Sequence, residues 1–125
     1  MMETKDKRQL LREAELRMTE EVASLLKQNE DDQLHWRGTM TDLMEALHTA
    51  FLTQRLRNGM GQPYSFRALV GDVCRLLHVR VPSNPYEYAT RGRRRKGQVN
   101  YSYLERYQYM LQVRGNQSPF WEEIV

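Results

Sequence analysis

The chain has 125 residues, 40% apolar and 28% charged, with a mean hydropathy of −0.77 and a formal charge of +3. That is about one domain with one modest core. No apolar run approaches the ~20 residues of a membrane span, and the opening stretch MMETKDKRQLLR is too charged for a secretory signal peptide. The single cysteine, Cys74, leaves no intrachain disulfide framework and fits a reducing, cytoplasmic setting.

Residues 5–28 contain no glycine or proline, and Leu11, Ala14, Met18, Val22 and Leu25 recur at three- and four-residue spacing, with Leu10 and Leu26 widening the stripe. This pattern predicts one long amphipathic helix. Its stripe is either a packing surface for the rest of the chain or the contact of a homodimer. Asn29-Glu30-Asp31-Asp32 then reads as an acidic linker, so the expected division is an N-terminal helix with linker over 1–33 and a helical domain over 34–125.

Leu34-His35-Trp36 reads as a short strand or an extended lead-in. Thr39 and Asp42 have capping-box spacing, with Asp in place of the usual Glu. They open a helix whose face is Leu43, Met44, Leu47, Ala50 and Phe51, expected to run to about Asn58. Asn58-Gly59-Met60-Gly61-Gln62-Pro63 is a turn by composition. Ser65 caps the next helix, which buries Phe66, Leu69, Val70, Val73, Cys74, Leu76 and Leu77 and fades at His78-Val79. Asn84 as N-cap and Pro85 at the first helical position start another helix, over 85–95. Ser102 and Glu105 form a second capping box, for a last helix with Leu104, Tyr107, Met110 and Leu111 inward and Gly115 beyond its end. Phe120 and Trp121 are apolar enough to dock the tail on the core.

Charge divides unevenly: residues 1–50 carry −4 and residues 51–125 carry +7, with eleven of the latter's twelve basic residues arginine. Arginine presents a fork that fits phosphate oxygens and guanine edges, so the basic half suggests a polyanionic partner. A helix over 65–78, a turn of about six residues and a Pro-started helix at 85 have the order and size of a helix-turn-helix. On this reading helix 85–95 enters the major groove of double-stranded DNA. Tyr86, Tyr88 and Arg91 face base edges, Arg93, Arg94, Arg95 and Lys96 meet phosphates, and Asn84 with the free amides of that helix start takes a phosphate as well.

Other chemistry is poorly represented. His35, His48 and His78 have no Ser or Cys partner in a recognisable arrangement. Glu45 with His48 gives one Glu-x-x-His where a di-metal bundle needs two. Cys74 and His78 form at most half a metal site, and no phosphate-cradling glycine motif is present. The chain therefore reads as non-enzymatic, without catalytic residues, metal, cofactor, membrane partner or small-molecule substrate. Tyr101, Tyr103, Tyr107 and Tyr109 interleave with Arg106, which leaves stacking on unpaired bases as a further option.

From Leu34 to about Val113 the chain resembles the C-terminal region of the RteC family, regulators of conjugative-transposon excision in Bacteroidetes. The resemblance lies in Trp36, Gly38, Thr39, Asp42 and Leu43, in the loop Asn58, Gly59 and Gly61, and in Leu77 and Val79 followed by Tyr86. Arg94 and Lys96 match a basic run, and Tyr103, Leu104 and Glu105 match the opening of the last helix. The chain departs from the pattern at Arg93, where the family tends to be apolar, and at Asn100-Tyr101 in place of Arg-Thr. The resemblance implies a DNA-binding transcriptional regulator with a helix-turn-helix or winged-helix domain. The expectation is thus a mostly α fold with a wing as an option over 93–100, serving a mobile element. The alternative is a non-catalytic interaction or oligomerisation subunit of a conjugation or excision complex, acting through the 5–28 stripe and the Phe120-Trp121 tail.

Overall fold

The computed structural model describes residues 5–95 and 101–125. Helix α1, Lys7–Leu26, starts on a reciprocal capping box: the Asp6 carboxylate accepts from the Gln9 amide at 2.9 Å and the Gln9 side chain accepts from the Asp6 amide at 2.9 Å. Its predicted stripe is the buried face, with Ala14, Met18, Val22 and Leu25 fully enclosed and Leu11 left partly exposed near the free end. These residues belong to the same core as the later helices. The stripe is spent within the chain, so a dimer through this helix would have to use its outer face, and the sequence boundary at 33 does not divide the core. The acidic string winds into a 3-10 turn, Glu30–Asp32, closed by Asn29 and Asp32 capping each other. Gln33 follows in the left-handed region at φ 55°.

Residues 34–36 form no strand. His35 and Val125 exchange backbone hydrogen bonds at 2.8 and 2.9 Å, and Trp36 makes a lone antiparallel bridge with Ile124. The lead-in is extended because it is tied to the C-terminal tail, a pairing that local sequence does not carry. Among the described residues there is no strand.

Helix α2, Met40–Leu52, is the hub. Every residue from 41 to 47 is buried, as are Thr49 and Ala50, because α1, α3, α4 and α5 all pack on it. A helix enclosed on all sides needs apolar residues beyond one stripe, and α2 supplies Leu43, Met44, Ala46 and Leu47 in near succession. Thr39 accepts from the Asp42 amide at 3.1 Å as expected. The reciprocal half of the box is missing, because the Asp42 carboxylate turns to Arg106 and Arg95. The helix stops at Leu52, short of the expected Asn58, since Gln54 adopts φ 57°. The 58–63 turn is as expected. Asn58 accepts from the Met60 and Gln62 amides through its side chain, and Gly61 takes φ 77°, a conformation open to glycine without a Cβ penalty.

Helix α3, Phe66–Leu76, capped by Ser65, buries the predicted face. Helix α4, Pro85–Arg93, is two residues shorter than expected. Helix α5, Tyr103–Gln112, has the predicted Ser102–Glu105 capping box but turns Tyr103 as well as Tyr107 inward, with Leu104, Met110 and Leu111 only half-buried. A last single turn, α6 (Pro119–Glu122), docks the tail by burying Phe120 completely. The fold is therefore mostly α, as the sequence predicts. Lys96 and the greater part of the optional wing, 96–100, lie outside the described residues.

Candidate nucleic-acid interface

Helix α4 is seated by its two small residues. Ala89 and Gly92 are buried, and Gly92 lies so close to α2 that a Cβ there would stand 2.6 Å from Glu45 Oε1 and 3.2 Å from Thr41 Cγ2. Tyr86 packs beside His48 and Gly92 beside Glu45 and Thr41, so α4 runs antiparallel to α2. This changes the expected helix-turn-helix. Eight residues, 77–84, separate α3 from α4, and α4 lies along α2 and not against α3. The two meet at the Phe66 and Tyr86 rings, which are tilted at 55° with their centroids 4.7 Å apart. The cause is local: His78 takes φ 56° and ends the α3 run, while Ala89 and Gly92 offer α2 the closest approach.

The face of α4 away from α2 carries Asn84, Glu87, Thr90, Arg91 and Arg94, all exposed, at the spacing of one helix stripe. These residues, with Tyr86, line a shallow hollow. Several predicted contacts are partly engaged within the chain. Asn84 caps the helix by accepting from the Glu87 amide at 3.4 Å and donates to the Glu87 carboxylate at 3.0 Å. The helix start therefore already holds a negative charge, which disfavours a phosphate there. Tyr86 keeps half its surface free but rests on Phe66 and His48. Tyr88 is half-buried against the core, with the Arg91 guanidinium over its ring at 5.3 Å, so it does not belong to the outward stripe. Arg91 also pairs with Glu87 at 3.2 Å, an exposed i,i+4 pair that stabilises little.

The basic run is not the uniform row of free cations that its letters suggest. Arg93 donates to His48 Nδ1 at 2.5 Å. His48 accepts because it is neutral: burial foremost, and then the Arg93 charge, lower its pKa to about 4. Arg95 turns inward to Asp42 at 3.7 Å. Arg94 is exposed and forms no ion pair among the described residues. Run-on self-repulsion is thus relieved in part by an acid in α2, which the sequence reading did not connect to the run.

Two buried carboxylates tie distant helices together: Glu45, under α4, which the sequence reading weighed only as half a di-metal motif, and Glu21, which it did not single out. Glu45 is fully buried and accepts from the Tyr103 and Leu104 amides at 2.9 and 2.8 Å, closing the start of α5. Glu21 is almost fully buried and accepts from the Tyr107 hydroxyl at 2.7 Å and from the Phe120 and Trp121 amides at 3.2 and 3.1 Å, closing the start of α6. Each satisfies orphan amides of a helix distant in sequence. In both, desolvation by burial raises the pKa above the ordinary carboxylate range, against the opposing hydrogen bonds. The one signal in the sequence is an acid set among buried apolar positions, Glu21 between Met18 and Val22 and Glu45 between Met44 and Ala46.

Cys74 is buried, and its thiol is pushed up to about 11 by that burial, which makes it a poor nucleophile. His78 Nδ1 lies 3.0 Å from the Leu34 carbonyl, and its ring is 5.2 Å from that of His35. Among the described residues no three His, Cys, Asp or Glu side chains are grouped as for a metal ion, and no helix is long and apolar enough to cross a membrane. Comparison with known proteins finds no matching family, no matching curated protein and no matching solved structure.

Proposed function

We propose that this chain binds double-stranded DNA through the outward stripe of α4 and the basic residues that follow it, as a transcriptional regulator of mobile-element genes of the RteC type. The observation that carries the reading is the seating of α4. A short helix is seated closely on the hub by Ala89 and Gly92, while Thr90, Arg91 and Arg94 face outward together with the free half of Tyr86. A helix presenting arginine and hydrogen-bonding side chains suits direct readout in the major groove. The rival, an interaction subunit acting through the α1 stripe and the tail, is less favoured because Met18, Val22, Leu25 and Phe120 are already buried in this chain's core.

The test is anisotropy titration of a labelled 30-bp duplex and of the matching single strand at two salt concentrations, with the wild type and Arg91→Ala/Arg94→Ala. Phosphate contacts by Arg93, Arg94 and Lys96 predict a log–log salt slope of roughly −3 at ~0.9 per contact. The paired variant should lose about a third of that slope through Arg94, and further affinity through Arg91, which faces base edges. Equal or tighter binding of the single strand would favour base stacking on the tyrosines instead. No binding of either form at low salt would end the nucleic-acid reading.

A further inference from the structure

Between α5 and α6 lies a cavity of about 610 Å³ that the basic face does not include. A volume of that order accommodates a small organic molecule. Its walls are four tyrosines, Tyr101, Tyr103, Tyr107 and Tyr109, with Met110 and Pro119. They converge because Tyr103 and Tyr107 lie one turn apart on the inner side of α5 and α6 is pinned against them through Glu21. Aromatic faces carry the negative lobe of the ring quadrupole and attract cations. Two of these rings already do so within the chain: Arg106 sits over Tyr103 at 5.6 Å and Arg114 over Tyr109 at 5.7 Å.

The charged groups around the cavity have the same sign preference. Arg106 is the cationic wall residue, and its guanidinium is committed to the Asp42 carboxylate. Against it stand three carboxylates, Glu105, Glu122 and Glu123. Glu105 is occupied by the Ser102 capping box and Glu122 by the Asn116 side-chain amide. Glu123 makes no side-chain hydrogen bond or ion pair among the described residues. The Tyr103 hydroxyl has no hydrogen-bond partner among the described residues, but it is itself buried and out of reach of a molecule in the cavity, so it is a packing cost and not part of the site.

From these contacts we infer that the α5–α6 cavity is a binding site for an organic cation, an ammonium group on an apolar or aromatic body, with the exposed rings of Tyr101 and Tyr109 receiving the body and Glu123 the charge. The inference is independent of duplex binding and adds a small-molecule partner that the sequence does not suggest.

Three probes of one shape and different charge test it: phenethylammonium, neutral 2-phenylethanol and anionic phenylacetate, titrated into ¹⁵N-labelled full chain and followed by amide shifts. Saturable shifts with phenethylammonium confined to residues 101–110 and 119–123, and at least fivefold weaker binding of the other two, are expected. Glu123→Gln should weaken the cation about fivefold, as for loss of one partly exposed charge contact, and leave 2-phenylethanol unchanged. Tyr109→Ala, at the exposed rim, should weaken all probes without unfolding the chain, with circular dichroism as the check. Equal affinity for the three probes, shifts mapping elsewhere, or no saturable binding would each overturn the inference.

Discussion

Replacing Gly92 with alanine is the sharpest test of how α4 is held. In an exposed helix the change would stabilise by about 1 kcal/mol through helix propensity. Here the added Cβ would stand 2.6 Å from Glu45 Oε1, and 3.2 Å from both Glu45 Cβ and Thr41 Cγ2. The oxygen cannot simply withdraw, because it accepts the Tyr103 amide at 2.9 Å in a fully buried setting. Overpacking of this kind costs about 1–3 kcal/mol, and loss of one hydrogen bond to a charged group about 1.5–3 kcal/mol. After the propensity gain, Gly92→Ala should destabilise by about 1.5–5 kcal/mol, lowering Tm by roughly 10 °C. Urea unfolding followed by circular dichroism measures this as a lower midpoint at unchanged m. In a Glu45→Ala background the same substitution should cost less than half as much, because the closest atom is gone and the two sites share one contact. If Gly92→Ala is as stable as the wild type or more so, α4 does not lie on α2 as described, and the proposed reading face loses its support.

Tyr103→Phe removes the orphan hydroxyl and should raise stability by about 1 kcal/mol in the same urea assay; a loss larger than that would mean the hydroxyl has a partner. Glu21 and Glu45 bind protons more tightly folded than unfolded, so between the ordinary carboxylate pKa and the raised folded value the native state holds the extra protons. Stability from these two groups is therefore greatest below that window, falls as pH rises through it, and is flat above it. Urea midpoints measured across the window should fall less steeply in Glu21→Gln and Glu45→Gln, and an unchanged slope in both would refute the assignment. Arg94→Ala should reduce the magnitude of the duplex salt slope by ~0.9, whereas Arg95→Ala, whose side chain faces Asp42, should leave it almost unaltered; the same anisotropy titration separates them.

Much of the local structure was legible in the chain itself. Capping residues Thr39, Ser65, Asn84 and Ser102 mark helix starts, because a side-chain oxygen followed by a free amide is a short-range device. The stripe of α1 and the face of α3 follow from three- and four-residue spacing alone. Helix ends were less visible. Gln54 and His78 stop α2 and α3 by adopting positive φ without being glycine, a choice made by the surrounding packing.

The surface that matters most was set by tertiary contacts. Letters 93–95 read as three equivalent arginines, yet one bonds His48, one forms no ion pair among the described residues and one pairs with Asp42, since neighbours on α2 sort them by direction. Tyr88 and Tyr86 are two apart in sequence but lie on different sides of α4 relative to the core. The tyrosines of α5 became a cavity wall once Glu21 pinned α6 beside them. Sequence by itself determined where helices form, because caps and periodicity act within a few residues. Tertiary structure alone decided which helix is the hub, where buried Glu21 and Glu45 end up, and which cations face outward. Those outcomes depend on groups tens of residues apart meeting in a medium where an unpaired charge is too costly to leave alone.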